Sequence, residues 1–103
     1  MKATPATEMA TKMTALLQEK LALSDEQTTK IQPIMLEDAT KKKDIVENGS
    51  IFTIRGKMKS LQKETKSKLA KILTTEQIKL YQDGVSEEVQ EEFKAWIDSR
   101  EVD

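Results

Sequence analysis

At 103 residues, 37% hydrophobic and 34% charged, the chain is too polar to close a large globular core and too periodic in its apolar positions for disorder, so a single domain (1–103) of thin helical layers is expected. It contains no histidine and no cysteine, which removes the common zinc, copper and nickel ligand sets, disulfides, and the Ser-His and Cys-His nucleophile pairs; neither an enzyme nor a cofactor is expected. No apolar run approaches the roughly 20 residues of a membrane span and no basic-then-apolar leader opens the sequence, so membrane insertion is not expected.

Thr4-Pro5 reads as an N-cap followed by proline at the first helical position, where a missing N–H costs nothing. Met9, Met13, Leu16, Leu17 and Leu21 then recur at helical spacing, giving a short amphipathic helix to about Lys20. A second helix begins at Ser24 and carries Ile31, Ile34, Met35, Ala39, Ile45 and Val46 up to the turn signal Glu47-Asn48-Gly49. Pro33 lies inside it and is expected to kink it. Ser50 is placed to cap a third helix, with Ile51, Ile54, Met58, Leu61, Thr65, Leu69 and Ile72 as its apolar stripe. At about 22 residues, or roughly 33 Å, each, helices two and three should form a long antiparallel hairpin. A fourth helix starts at Thr74 with Ile78, Tyr81, Val85, Val89, Phe93, Trp96 and Ile97. Asp83-Gly84 should bend it without ending it, because the step from Tyr81 to Val85 keeps phase.

Two of these helix starts are copies of one motif. Leu23-Ser24-Asp25-Glu26-Gln27 returns fifty positions later as Leu73-Thr74-Thr75-Glu76-Gln77. In each, the Ser or Thr hydroxyl can accept the third helical N–H while the glutamine reaches back to the cap N–H, which is a capping box. The leucine before the cap has an apolar staple partner in the second copy (Leu73 with Ile78) and a poor one in the first (Leu23 with Thr28).

Leu-(Ser/Thr)-x-x-Gln twice at this separation, each after an amphipathic helix, resembles the LTxxQ family of small periplasmic proteins, the Spy- and CpxP-like group, over about residues 9–82. The resemblance implies an all-α, four-helix LTxxQ-type fold and a cradle-shaped homodimer. It also implies an ATP-independent periplasmic holdase or envelope-stress protein that binds unfolded or misfolded clients. A regulatory adaptor docking on the periplasmic sensor domain of a stress-response kinase is the alternative. Under either reading a signal peptide has been removed, with Lys2 to Thr4 near the mature start.

Charge is segregated independently of that resemblance. Residues 40–72 carry ten basic and three acidic side chains, net +7, and residues 83–103, the acidic C-terminal helix, carry eight acidic and two basic, net −6. The basic segment raises the local concentration of anionic partners; without interleaved aromatics, and at a net charge of −1, nucleic acid is not expected among them. Glu87, Glu88, Glu91 and Glu92 read as a solvated helix face. Leu36 and Phe52 stand off the apolar stripes, either as anchors exposed among lysines or under a wide core face or dimer seam, whereas Met35 and Met58 read as core. The expected client surface is therefore Leu36, Lys41, Lys42, Lys43, Phe52, Arg55 and Lys59, unless the acidic tail neutralises the same face. A dimer is expected because four thin helices leave Leu36, Phe52 and part of the 51–72 stripe uncovered.

Overall fold

A computed structural model describes residues 3–101, so the expectations at Lys2 and at the last two residues of the acidic tail lie outside the described residues. Its elements are α1 (Ala6–Leu21), α2 (Asp25–Asn48), α3 (Ile54–Ala70), α4 (Thr75–Leu80) and α5 (Ser86–Arg100), with a π-helical turn, Tyr81–Val85, joining the last two. The described residues are all-helical, without strands, and none of their helices is long and apolar enough to cross a membrane.

Both repeats form the capping boxes that their sequence calls for. Ser24 Oγ accepts the Gln27 N–H at 3.1 Å and Gln27 Oε1 accepts the Ser24 N–H at 3.0 Å; Thr74 and Gln77 repeat this at 3.2 and 2.9 Å. In each box the glutamine uses only its oxygen, and the two spare carboxamide nitrogens find each other's repeat. Gln27 Nε2 donates to Gln77 Oε1 at 2.6 Å and to the Ile72 carbonyl at 3.2 Å, while Gln77 Nε2 donates to Gln27 Oε1 at 3.2 Å and to the Leu21 carbonyl at 3.1 Å. The starts of α2 and α4 are thus tied to each other and to the ends of the preceding helices, satisfying carbonyls that a helix C-terminus leaves unpaired. Leu23 and Leu73 bury into the core beside this knot.

The core lies between α1, α2 and α5. Met9, Met13, Leu16, Leu17 and Leu21 of α1 meet Ile31, Met35 and Ala39 of α2, and Val89, Phe93 and Ile97 of α5 close the third side. Each such side chain contributes about 1.5–3 kcal/mol through burial, so the acidic helix is held by its apolar stripe and not by its charge. Its acids turn outward: Glu88 and Glu92 pair with Lys20 of α1 at 3.4 and 2.8 Å, and Arg100 pairs with Glu8 at 2.8 Å.

The α2–α3 hairpin is antiparallel, because rising positions on α2 meet falling positions on α3: Gln27 reaches Ile72, Glu37 meets Lys68, and Lys41 meets Glu64. It is less regular than the sequence suggests. α2 has 24 residues and continues as helix through Pro33, whereas α3 has 17 and starts at Ile54, four residues beyond Ser50. Gly49 explains the delay. A Cβ there would collide with the Ile45 carbonyl oxygen and lie 2.9 Å from the Ile54 side chain, so the chain leaves α2 extended, pressed against both. Residues 50–53 then make a turn in which the Ser50 N–H donates to Thr53 Oγ1 and the Ser50 carbonyl accepts the N–H groups of Thr53 and Ile54. The N-cap residue of α3 is therefore Thr53, without a side-chain cap bond, and not Ser50 as expected, and Ile51 leaves the stripe for solvent. Leu61, Thr65 and Leu69 bury as expected; Met58, expected in the core, is half-buried on a groove wall.

At the N-terminus, Pro5 takes the cap position of α1 and the Thr4 hydroxyl donates instead to Glu101 at 3.1 Å, pinning the two ends of the chain together. The fourth helix bends at Gly84, whose φ of 148° lies where only glycine is unstrained. Around it the helix widens to a π turn, with the Ser86 N–H donating to the Tyr81 carbonyl.

Candidate functional site

The turn end of the α2–α3 hairpin, a helix length from the glutamine knot, exposes large apolar side chains. Phe52 is 90% exposed and Ile51 is 83% exposed. The 50–53 turn causes this: it points two adjacent residues outward, and neither helix extends far enough to cover them.

A groove lies on each side of that tip. One, of about 560 Å³, runs between the helices and is lined by Phe52, Ile45 and Leu61 with Lys41, Lys57 and Asp44. The other, of about 680 Å³, follows the outer flank of α3 and is lined by Ile51, Ile54 and Met58 with Arg55, Lys59 and Gln62. Both have an apolar floor; the rim of the first mixes Lys41 and Lys57 with Asp44 and Glu64, and that of the second carries the cations Arg55 and Lys59.

The expected client residues divide accordingly. Lys41 and Phe52 share the first groove, and Arg55 and Lys59 share the second. Leu36, 38% exposed on α2, lines neither. Lys43 Nζ donates to the Thr4 carbonyl at 2.7 Å, which takes it toward the chain ends. Lys42 turns inward: its side chain is 14% exposed, its ammonium lies 2.9 Å from Asp38 and 5.3 Å from the Phe93 ring centre. Ile45, Leu61, Lys57 and Ile51 complete the tip and were missed by the sequence reading. The signal for Ile51 was its position beside Phe52, since one helix face cannot bury both neighbours.

Two charged clusters flank the grooves. At the surface, Lys41 and Lys68 each contact both Glu37 and Glu64, at 2.8–3.3 Å. Hydrogen bonds from Lys68 and then Lys41 hold the Glu37 carboxyl down at about 2, and the same two lysines, Lys41 foremost, lower Glu64. Inside, Asp38 is 4% exposed and accepts from Thr65 Oγ1 at 2.7 Å as well as from Lys42. That pairing explains the threonine in the α3 stripe: it satisfies a buried carboxylate. Tyr81 sits near this cluster and beside Ser86, and burial raises its pKa.

The tail does not neutralise the tip through Glu88 and Glu92, which are engaged with α1. Arg55, Lys57, Lys59, Lys63, Lys66 and Lys71 form no ion pair among the described residues, so α3 presents a row of free cations. Such an arrangement can hold apolar side chains and attract anionic groups; it offers no nucleophile activated by a neighbouring base. No family model, no curated protein and no solved structure matches this chain.

Proposed function

We propose that the chain is a holdase-type chaperone of the periplasmic envelope, a homodimer of the LTxxQ type whose hairpin surface holds unfolded polypeptides without ATP. The observation that carries this reading is the exposed pair Ile51 and Phe52 at the hairpin tip, set between two apolar-floored grooves, of which the one on the outer flank of α3 has a cationic rim. An exposed aromatic and isoleucine anchor apolar segments of many sequences, while free cations attract acidic ones at longer range. The twin capping boxes support the family assignment, and a twofold dimer that brings the hairpins of two copies together would form the cradle.

The test is suppression of aggregation of one neutral and one acidic unfolded client, with solution mass measured by light scattering in the same buffer. Phe52→Ala should reduce capture of both clients while changing stability by less than about 0.5 kcal/mol, as befits an exposed position. Charge reversal at Arg55 and Lys59 should reduce capture of the acidic client most, and added salt should mimic it. A chain that suppresses nothing yet binds one folded sensor domain would be the adaptor, and the holdase reading would fall. A monomeric mass at tens of micromolar would remove the dimer.

A further inference from the structure

On the side of α3 that faces the bend between α4 and α5 lies a further depression of about 330 Å³, which shares Lys59 and Gln62 with the outer-flank groove. Its walls are Lys59, Gln62, Lys63 and Lys66 from α3, and Tyr81, Ser86 and Gln90 from across the bend. Every one of these side chains can donate a hydrogen bond, and none is acidic. The nearest buried carboxylate, Asp38, is already engaged by Thr65 and Lys42.

The lysines are the unusual feature. Lys59 and Lys63 are four apart and Lys63 and Lys66 three apart, spacings at which like charges on a helix repel by about 0.2–0.5 kcal/mol per pair. On the other flank of the same helix the repulsion is relieved, since Lys68 has Glu64 one turn before it and Glu37 across the hairpin. In the groove it is not. The opposite wall owes its shape to the π turn: the widened ring places Tyr81 and Ser86 side by side, and Gly84 turns the following helix so that Gln90 reaches the same edge. π turns recur at functional sites because they redirect side chains in this way.

We propose that this groove binds a small multivalent anion carrying two or more phosphate or carboxylate groups about 4.5–6 Å apart. That spacing follows from the rise of 1.5 Å per residue, which sets Lys59, Lys63 and Lys66 about 6 and 4.5 Å apart along the helix. The ammonium groups neutralise the anion, the Gln62 and Gln90 carboxamides orient it, and Ser86 adds a hydroxyl donor. The volume is that of a small-molecule pocket, too small for a folded partner.

Isothermal titration of the full chain at low, fixed ionic strength tests this, with citrate and inorganic triphosphate as probes and acetate as the singly charged control. Saturable binding with a Kd below about 1 mM is expected for at least one probe and not for acetate. Preference between citrate and triphosphate separates a carboxylate ligand from a phosphate one. Lys63→Ala should weaken binding by about tenfold and Gln90→Ala by a smaller measurable factor, whereas Lys57→Ala and Lys71→Ala, outside the groove, should change it less than about twofold. All four substitutions lie on exposed helix positions or next to α3, so circular dichroism should show the fold unchanged. Absence of saturable binding, or an equal loss from lysines inside and outside the groove with no effect of Gln90→Ala, would overturn the proposal in favour of a diffuse basic surface.

Discussion

Removing Gln77 severs four hydrogen bonds at once. Its oxygen accepts from the Thr74 N–H and from Gln27 Nε2, and its nitrogen donates to the Leu21 carbonyl and to Gln27 Oε1. At about 0.5–1.5 kcal/mol per bond the sum spans about 2–6 kcal/mol, and because the pair is only part-buried and each amide atom is shared between two partners, Gln77→Ala should cost about 2–3 kcal/mol. Gln27→Ala loses the equivalent set, to Ser24, Ile72 and Gln77, and should cost about the same. The two mutual bonds are counted in both single variants. The double variant should therefore fall short of the sum by about 1–2 kcal/mol, a coupling read directly from a double-mutant cycle.

Urea unfolding followed by the helical circular dichroism signal is sufficient, provided the slope is unchanged so that midpoints report stability. Ser24→Ala and Thr74→Ala provide the comparison, because they remove one cap bond each without touching the glutamine pair and should cost about 0.5–2 kcal/mol. Activity in all of these variants should follow stability, since the knot lies far from the hairpin tip. Additivity of the two glutamine substitutions within about 0.5 kcal/mol would show that the repeats act as independent caps, and the interlock would be refuted.

Glu37 is held at about 2 against an ordinary value of 4.5, and Glu64 is lowered too, so the stability they contribute is present above about pH 4.5 and lost as pH falls toward 2. The difference in urea midpoint between the wild type and Glu37→Gln should be largest at neutral pH and vanish near pH 2. Phe93→Ala should cost about 3–5 kcal/mol, because that ring fills the core under Lys42 and beside Trp96; deleting residues 86–103 should abolish cooperative unfolding instead of unmasking a binding face. Thr14→Val should stabilise by about 1 kcal/mol, since the buried Thr14 hydroxyl has no hydrogen-bond partner among the described residues; a loss in thermal midpoint would show that the hydroxyl is satisfied.

Local chemistry was readable in the sequence wherever it was self-contained. Ser24 with Gln27 and Thr74 with Gln77 form their boxes from residues three apart, and Met9 to Leu21 bury because nothing competes with their helical phase. What escaped was decided between segments. Half of each glutamine carboxamide is idle in a capping box, which hints at a second partner, but only the fold brings Gln27 to Gln77. Lys42 was read as a surface cation because charge counting does not show that Asp38, one turn before it, is buried against Thr65. Ile51 was assigned to the core because the period of the stripe extends back to it. The tight approach of Gly49 to Ile45 and Ile54 consumes the residues that would have made that first turn.

These departures have a common geometric consequence. The four helix ends near Leu21, Ser24, Ile72 and Thr74 are bound together by glutamine carboxamides, so the base of the α2–α3 hairpin is fixed by backbone-directed bonds. Moving away from it along α2, which spans about 36 Å at 1.5 Å per residue, the cover supplied by α1 and α5 runs out and the contacts become surface ion pairs. Lys42 and Lys43 still reach Phe93 and Thr4, and beyond them the hairpin is closed by a turn whose apolar residues face outward. Stability is therefore concentrated at one end of the hairpin and exposed binding capacity at the other. Changes at the tip, from Ile51 to Lys59, should alter binding with little effect on folding, and changes at the knot should do the reverse.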